Sequence, residues 1–199
     1  MNELTTFLRS FQILSDKEIQ IIVDNTTIKE FSKGTLLLRE GEVANGCYLV
    51  LKGCVREFFI KDGEEKSTAF YTEGDPVNSF TSSTNKSPSK LNLICAEDCL
   101  LTVSNGALEQ EMCRLIPRLE SIILAEVEKN SGKAQDELAR FIISSPTERY
   151  LYLLETKPQL INRIPQHQIA SYLGVTPESL SRIRKRVASK LAHSSVKNV

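Results

Sequence analysis

The 199-residue sequence has no tryptophan and only two histidines, both near its C-terminal end. The scarcity of histidine excludes histidine-rich metal sites, and His167 has no neighbours to complete one. It also leaves haem without an axial histidine in the N-terminal half. No segment reaches the ~18–20 apolar residues of a membrane span. The first eleven residues lack a signal-like apolar run. The expectation is a cytoplasmic protein with no membrane partner. The five cysteines (47, 54, 95, 99 and 113) are odd in number and sit mostly in apolar runs, which favours buried free thiols. Cys95 and Cys99 are four apart but have no second pair, so an iron–sulfur cluster is not expected. Redox sensing through Cys113 or another exposed thiol stays open. No Ser–His–Asp or paired-carboxylate constellation is visible, so no enzyme, metal or cofactor is expected.

Net charge is also missing: 25 basic residues balance 25 acidic ones. The balance is uneven along the chain. Residues 1–162 carry −6, and residues 163–199 carry +6 with Glu178 as their one acid. A basic last fifth suggests a nucleic-acid footprint or a solvated charged helix.

What is present divides into three textures. Ser15 followed by Glu18 reads as a capping box before a short helix ending near Asn25. From Phe31 to Val103, β-branched and aromatic runs alternate with glycines. The candidate strands are Thr35–Arg39, Cys47–Leu51, Val55–Ile60, Glu65–Tyr71, Val77–Phe80, Leu91–Ala96 and Cys99–Val103. Asp62-Gly63 marks a hairpin. So many short strands predict a rolled antiparallel sheet. Thr81–Ser89 is polar and turn-rich, a loop or lid.

After Gly106 the period is helical. A short helix is expected over Leu108–Arg114 and a long one from Pro117 through Ile143. Leu119, Ile123, Val127, Asn130 and Leu138 give it a thin stripe, either an interdomain strut or a homodimer seam, the latter preferred. Gly132 inside it suggests a close backbone approach or a flexible point. Ser145-Pro146-Thr147-Glu148 is a further helix start, and Pro158 to Arg163 reads as a linker.

Pro165–Leu191 is the sharpest local pattern. A first helix over about Pro165–Leu173 turns its Ile169, Ala170 and Leu173 inward. Gly174 supplies the turn, Val175 plugs the corner and Thr176 caps the second helix. Leu180, Ile183 and Val187 face the first. This spacing fits a DNA-reading helix-turn-helix; the competing reading is a helical pair that packs on a partner protein. Pro177, Glu178, Ser181 and Arg182 would meet base edges, with Arg182 matched to guanine and Glu178 to cytosine. Thr176 and Ser179 suit phosphates at the helix N-terminus. Gln166, His167 and Gln168 could touch backbone, while Arg184, Lys185, Arg186 and Lys190 would neutralise phosphate.

With these residues in place, the chain resembles the Crp/Fnr family of bacterial transcriptional regulators, Bacteroidetes-type members especially. The resemblance rests on Gly34, Leu36, Gly41, Tyr48, Gly53, Val55, Gly74 and Asp75 in the roll. At the other end it rests on Thr176, Glu178, Ser179, Leu180, Ser181 and Arg182. It implies an α+β chain in three parts: a cyclic-nucleotide-binding-like β jelly roll (1–115), a dimerisation helix (116–144) and a C-terminal helix-turn-helix without a long wing (145–199). It implies a homodimer on pseudo-palindromic double-stranded DNA, with RNA polymerase as a further partner. Pro177 replaces a commonly basic position, and His193–Val199 is too short for a hairpin wing. The family's ribose-binding glutamate is Ser79 here, and its phosphate arginine is at best Lys90, which lacks the guanidinium fork. Cyclic AMP is therefore not the expected effector. Ser79, Phe80, Ser82, Lys90 and Ala134 would line a degenerate pocket for an unknown small effector. The alternative is a transcription factor gated by a cyclic nucleotide or another small molecule.

Overall fold

The computed structural model describes residues 3–196; for Phe80, Thr81 and residues 190–196 only the backbone is described. Two helices open the chain, α1 (Glu3–Ser10) and α2 (Asp16–Asn25). The first falls where no element was assigned from sequence. Ser15 caps α2 through the Glu18 amide, and the Glu18 carboxylate returns to the Ser15 amide at 2.8 Å.

Eight strands follow: β1 (Thr27–Phe31), β2 (Leu36–Leu38), β3 (Cys47–Lys52), β4 (Val55–Lys61), β5 (Glu64–Tyr71), β6 (Pro76–Val77), β7 (Asn92–Cys95) and β8 (Cys99–Ser104). They form two four-stranded antiparallel sheets, ordered β1-β8-β3-β6 and β2-β7-β4-β5. Asp62 and Gly63 both have positive φ at the β4–β5 turn, as a tight hairpin with the sheet's twist requires. Between the sheets lie Val50, Val55, Val77, Leu93 and Leu101, all at 0–1% exposure.

The sequence reading needs correction at three places in and around the roll. Thr27–Phe31 is a strand, held by β8 in a register from Thr27↔Val103 to Phe31↔Cys99. The expected strand Val77–Phe80 stops at Val77. The expected loop after it holds a short helix, α3 (Phe80–Asn85), ended by Lys86 in the left-handed region.

Then come α4 (Gly106–Leu115) and α5 (Leu119–Ile143), the latter 25 residues long. Asn105 caps α4 by accepting from the amides of Ala107 and Leu108. Leu4, Leu8, Ile19, Ile22 and Ile116 pack with Leu51 of β3, so α1, α2 and the α4–α5 junction share one apolar cluster on the roll. Arg118 fixes this junction with two hydrogen bonds to Glu18, one of 2.7 Å.

The chain ends in α6 (Pro146–Thr156), α7 (Leu160–Arg163), α8 (Gln166–Tyr172) and α9 (Pro177–Val196). Ser145 and Glu148 form the capping box that starts α6. The stretch read as a linker contains α7, whose Leu160 is 1% exposed in the core beneath. At Gly132 no atom of this chain lies within 4 Å of where a Cβ would stand, so packing within the chain does not require glycine there. None of the helices in the described residues is long and apolar enough to cross a membrane.

Candidate functional site

The α8–α9 pair is built by local sequence. Ile169, Ala170 and Leu173 of the first helix meet Leu180, Ile183 and Val187 of the second, all at 6% exposure or less. Burying each large aliphatic side chain contributes about 1.5–3 kcal/mol. Gly174 turns the chain at φ +70°, and a Cβ there would stand 3.2 Å from Arg149 Nη1 and 3.3 Å from Phe141 Cζ. Glycine is needed for the backbone and for the space alike. Thr176 Oγ1 accepts from the Ser179 amide at 3.2 Å and caps α9.

That packing settles which face of α9 is free. Pro177, Glu178, Ser181, Arg182 and Lys185 are exposed together, and Thr176 is exposed beside them. Ser179 is half-buried, its hydroxyl accepting from Thr176 at 3.2 Å. Glu178 is held below the ordinary carboxylate range by its own backbone amide, then Thr176 and Arg182. His167 is exposed at the first turn of α8. Gln166 is half-buried and accepts from Arg184 at 2.6 Å. Arg186 is exposed and donates to Thr147 of α6. An open groove of about 540 Å³ runs beside this face, with Tyr150, Leu154 and Val187 as floor and Gln166, Arg184 and Lys185 as polar rim.

The C-terminal helices dock on the roll. Phe70 and Cys54 of the roll join the core beneath α8. Phe70 meets Tyr172 edge-on, with ring centroids 5.4 Å apart. The Ser67 amide donates to Ser171 Oγ at 3.0 Å, and that hydroxyl donates to the Glu65 carbonyl at 3.2 Å. Lys157 donates to the Phe70 carbonyl at 2.8 Å and pairs with Asp75 at 3.3 Å. Arg163 reaches both Glu73 and Glu97. Burial pushes Glu73 up, but the Arg163 hydrogen bond and backbone amides outweigh it and hold the carboxyl low. Beneath the docked α8, Arg56 is 3% exposed, paired with Glu65 and stacked over Phe58 at 4.3 Å. The contacts between the roll and the C-terminal helices were not anticipated from sequence, because their partners lie 66 to 106 residues apart.

The expected effector residues differ in exposure. Ser79 is buried, without a cap bond to α3. Ser82 is 1% exposed, accepting from the Ala44 amide and donating to the Ser87 carbonyl, so it fixes its own loop. Lys90 and Ala134 are exposed, and the Phe80 side chain lies outside the described residues. The polar group that sequence reasoning missed is Glu57. It shares the inward face of Val55 and accepts from Tyr71 Oη at 2.9 Å and Thr68 Oγ1 at 2.7 Å. Burial, then Glu57, pushes the Tyr71 phenol far up, with Asp75 and Glu137 of α5 adding to it. A single acid in the apolar run VREFFI was the available signal.

The long helix α5 carries two faces. Leu119 joins the apolar cluster of α1 and α2, and Ile123 and Asn130 are half-buried. Val127 and Leu138 are exposed, with Leu124, Phe141 and Ile142.

Residues 28–113 match the cyclic nucleotide-binding domain family. Among solved structures, FixK2 from Bradyrhizobium japonicum superposes with a TM-score of 0.69 at 20% identity, over 83% of this chain and 85% of that one. The regulator CLP from Xanthomonas campestris gives 0.68 at 17% identity, over 88% and 93%. The catabolite activator protein of Thermus thermophilus gives 0.55 at 20%, over 90% and 86%. The chain shares the fold of these three proteins. No curated protein sequence matches. In this roll the paired strands β4 and β5 bring Glu57 and Tyr71 together.

Proposed function

We propose that this chain is a sequence-specific DNA-binding transcriptional regulator, a homodimer on a pseudo-palindromic operator. The observation that carries the reading is the α9 face. Its apolar side is fully used against α8, and its N-terminal side presents Glu178, Ser181, Arg182 and Lys185 outward together. A helix shown in this way reads the major groove, with Arg182 on a guanine and Glu178 on a cytosine amino group. Thr176, Ser179, Gln166, His167 and Arg186 meet the sugar-phosphate backbone. The parts are a sensor roll (1–115), a dimer helix (116–144) and a helix-turn-helix unit (145–199). Recognition helices of the two copies stand about 34 Å apart, one turn of B-DNA. RNA polymerase is the further partner that the resemblance to Crp/Fnr regulators implies.

The dimer seam is proposed in a corrected register. The exposed residues Leu124, Val127, Leu138 and Ile142 lie about a quarter turn from Leu119, Ile123 and Asn130. The first set is free to meet a second copy, and the second is partly engaged with its own chain.

Cyclic AMP is not the effector in this reading. Ser79 and Lys90 replace the ribose and phosphate ligands, and the half-buried Glu57 carboxylate of the roll repels an anionic phosphate. A second reading, gating by another small molecule, draws support from the docked α8. Its hydroxyl contact to β5 and the Lys157–Asp75 pair tie the reading helices to the roll. A ligand that shifts β5 would shift α8.

The experiment is in-vitro selection of DNA sites by the full chain, followed by footprinting with and without cyclic AMP. A palindromic site insensitive to the nucleotide is expected. Failure to enrich any site overturns the DNA reading. A cyclic-AMP-dependent footprint overturns the effector reading alone.

A further inference from the structure

Cys95 ends β7 and Cys99 opens β8, so their thiols flank a three-residue turn. Both belong to the interior cluster of the roll, at 1% and 4% exposure. The Cys99 thiol donates to the Cys54 carbonyl at 3.4 Å and to the Glu97 carbonyl at 3.3 Å. Interaction with its neighbour, then burial, pushes Cys95 up, while Cys99 is held below the ordinary thiol range. Cys54 has a different setting: burial pushes it up to about 12. Among the described residues, no group of three or more His, Cys, Asp or Glu side chains suits a metal ion. The pair therefore stands as a dithiol.

The turn between them has a second duty. Ala96 packs against the core shared with the C-terminal helices, and its amide donates to the Cys54 carbonyl at 2.8 Å. Glu97 accepts from Arg163 Nε at 3.0 Å. Gly53 closes the other side so tightly that a Cβ there would stand 2.7 Å from Cys99 Sγ. Movement of Cys99 therefore bears on the Cys54 strand start and on the turn that holds Arg163.

We propose that Cys95 and Cys99 form a reversible intramolecular disulfide with a hydroperoxide as oxidant, and that the turn carries the change to the docked helices. The Cys99 sulfur attacks a peroxide oxygen and the O–O bond breaks, giving a Cys99 sulfenic acid and releasing the alcohol of an organic hydroperoxide, or water from hydrogen peroxide. The Cys95 sulfur then attacks Cys99, the S–O bond breaks and a water leaves. The two thiols lose two electrons in all, and the peroxide gains them. A dithiol reductant reverses the bond by exchange. Burial makes entry depend on local opening, so loosening the docked helices with Arg163→Ala should quicken the reaction several-fold.

The test uses the full chain, reduced, then treated with hydrogen peroxide and alkylated in denaturant. Trypsin releases residues 91–114, which hold Cys95, Cys99 and Cys113 together. A second cut before Asp98 separates Cys95 from the other two. Halves that stay joined, with Cys113 alkylated, support the proposal. Three alkylated cysteines, a link to Cys54 or Cys113, or Cys99 passing on to sulfinic acid overturns it. Hydrogen exchange at the Ala96 and Ser67 amides should rise on oxidation in the wild type and stay unchanged in Cys95→Ala. A link without any change in exchange overturns the coupling. If Cys95→Ala does not fold, the wild-type map still decides whether the bond forms.

Discussion

Arg163 holds Glu73 with two parallel hydrogen bonds, Nη1 to one carboxylate oxygen at 3.0 Å and Nη2 to the other at 2.8 Å. The same guanidinium meets Glu97, so one cation of the C-terminal helices joins two separate turns of the roll. The fork matches a carboxylate plane in a way that lysine does not. Arg163→Ala should lower stability by about 1–2 kcal/mol, a figure already reduced for the partial exposure of the three groups. Chemical denaturation at low and high salt checks it, and the wild type should lose more stability to salt than the variant. Arg163→Lys should recover part of the loss.

On the α9 face, Arg182→Ala should weaken binding to a selected operator by about 1–3 kcal/mol and relax the choice of base at one position per half-site. Lys185→Ala should weaken binding to all sequences alike and flatten the salt dependence by about one unit of slope. Fluorescence titration across a salt series separates the two. Equal losses on operator and scrambled DNA for Arg182→Ala would assign that residue to phosphate instead.

The two faces of α5 predict different outcomes. Leu138→Glu, on an exposed apolar position at 62% exposure, should turn the proposed homodimer into a monomer and leave the helical signal intact. Leu119→Glu, on the face packed with α1 and α2, should destabilise the fold instead. Sedimentation together with circular dichroism distinguishes them. A Leu138→Glu dimer of unchanged mass would remove the corrected seam.

Glu18 offers a titration test. Hydrogen bonds from Arg118, then Ser15, hold its carboxyl at about 2, against an ordinary value of 4.5. The folded value is the depressed one, so the stabilisation is complete above about pH 4.5. It fades as pH falls towards 2. NMR titration of the Glu18 side chain should show this low midpoint. Arg118→Ala should return it most of the way towards the ordinary range.

Local chemistry explains what could be read in advance. The capping boxes at Ser15 and Ser145 need only residues three apart. The α8–α9 corner is equally local: Gly174 for the turn, Thr176 for the cap, and Leu180, Ile183 and Val187 at helical spacing. The roll was legible from strand density and the Asp62-Gly63 hairpin. Thr27–Phe31 was not, because its pattern alternates poorly and β8 alone makes it a strand. Ser82 looked like a ligand-binding hydroxyl, and only the approach of Ala44 and Ser87 shows it fully engaged.

The sequence by itself determined most of the roll's strands, the helices that start at Ser15, Ser145 and Thr176 with their caps, and the basic character of the last fifth, since these follow from periodicity and charge within a few turns. The tertiary structure decided which face of α5 is exposed in this chain and that a half-buried acid, Glu57, meets Tyr71 and Thr68 of the neighbouring strand. It also decided that Arg163, Lys157 and Ser171 bind the C-terminal helices to β5 and its neighbouring turns. Those contacts join residues up to 106 positions apart. Long-range pairing depends on how two finished surfaces meet, and no local pattern records that.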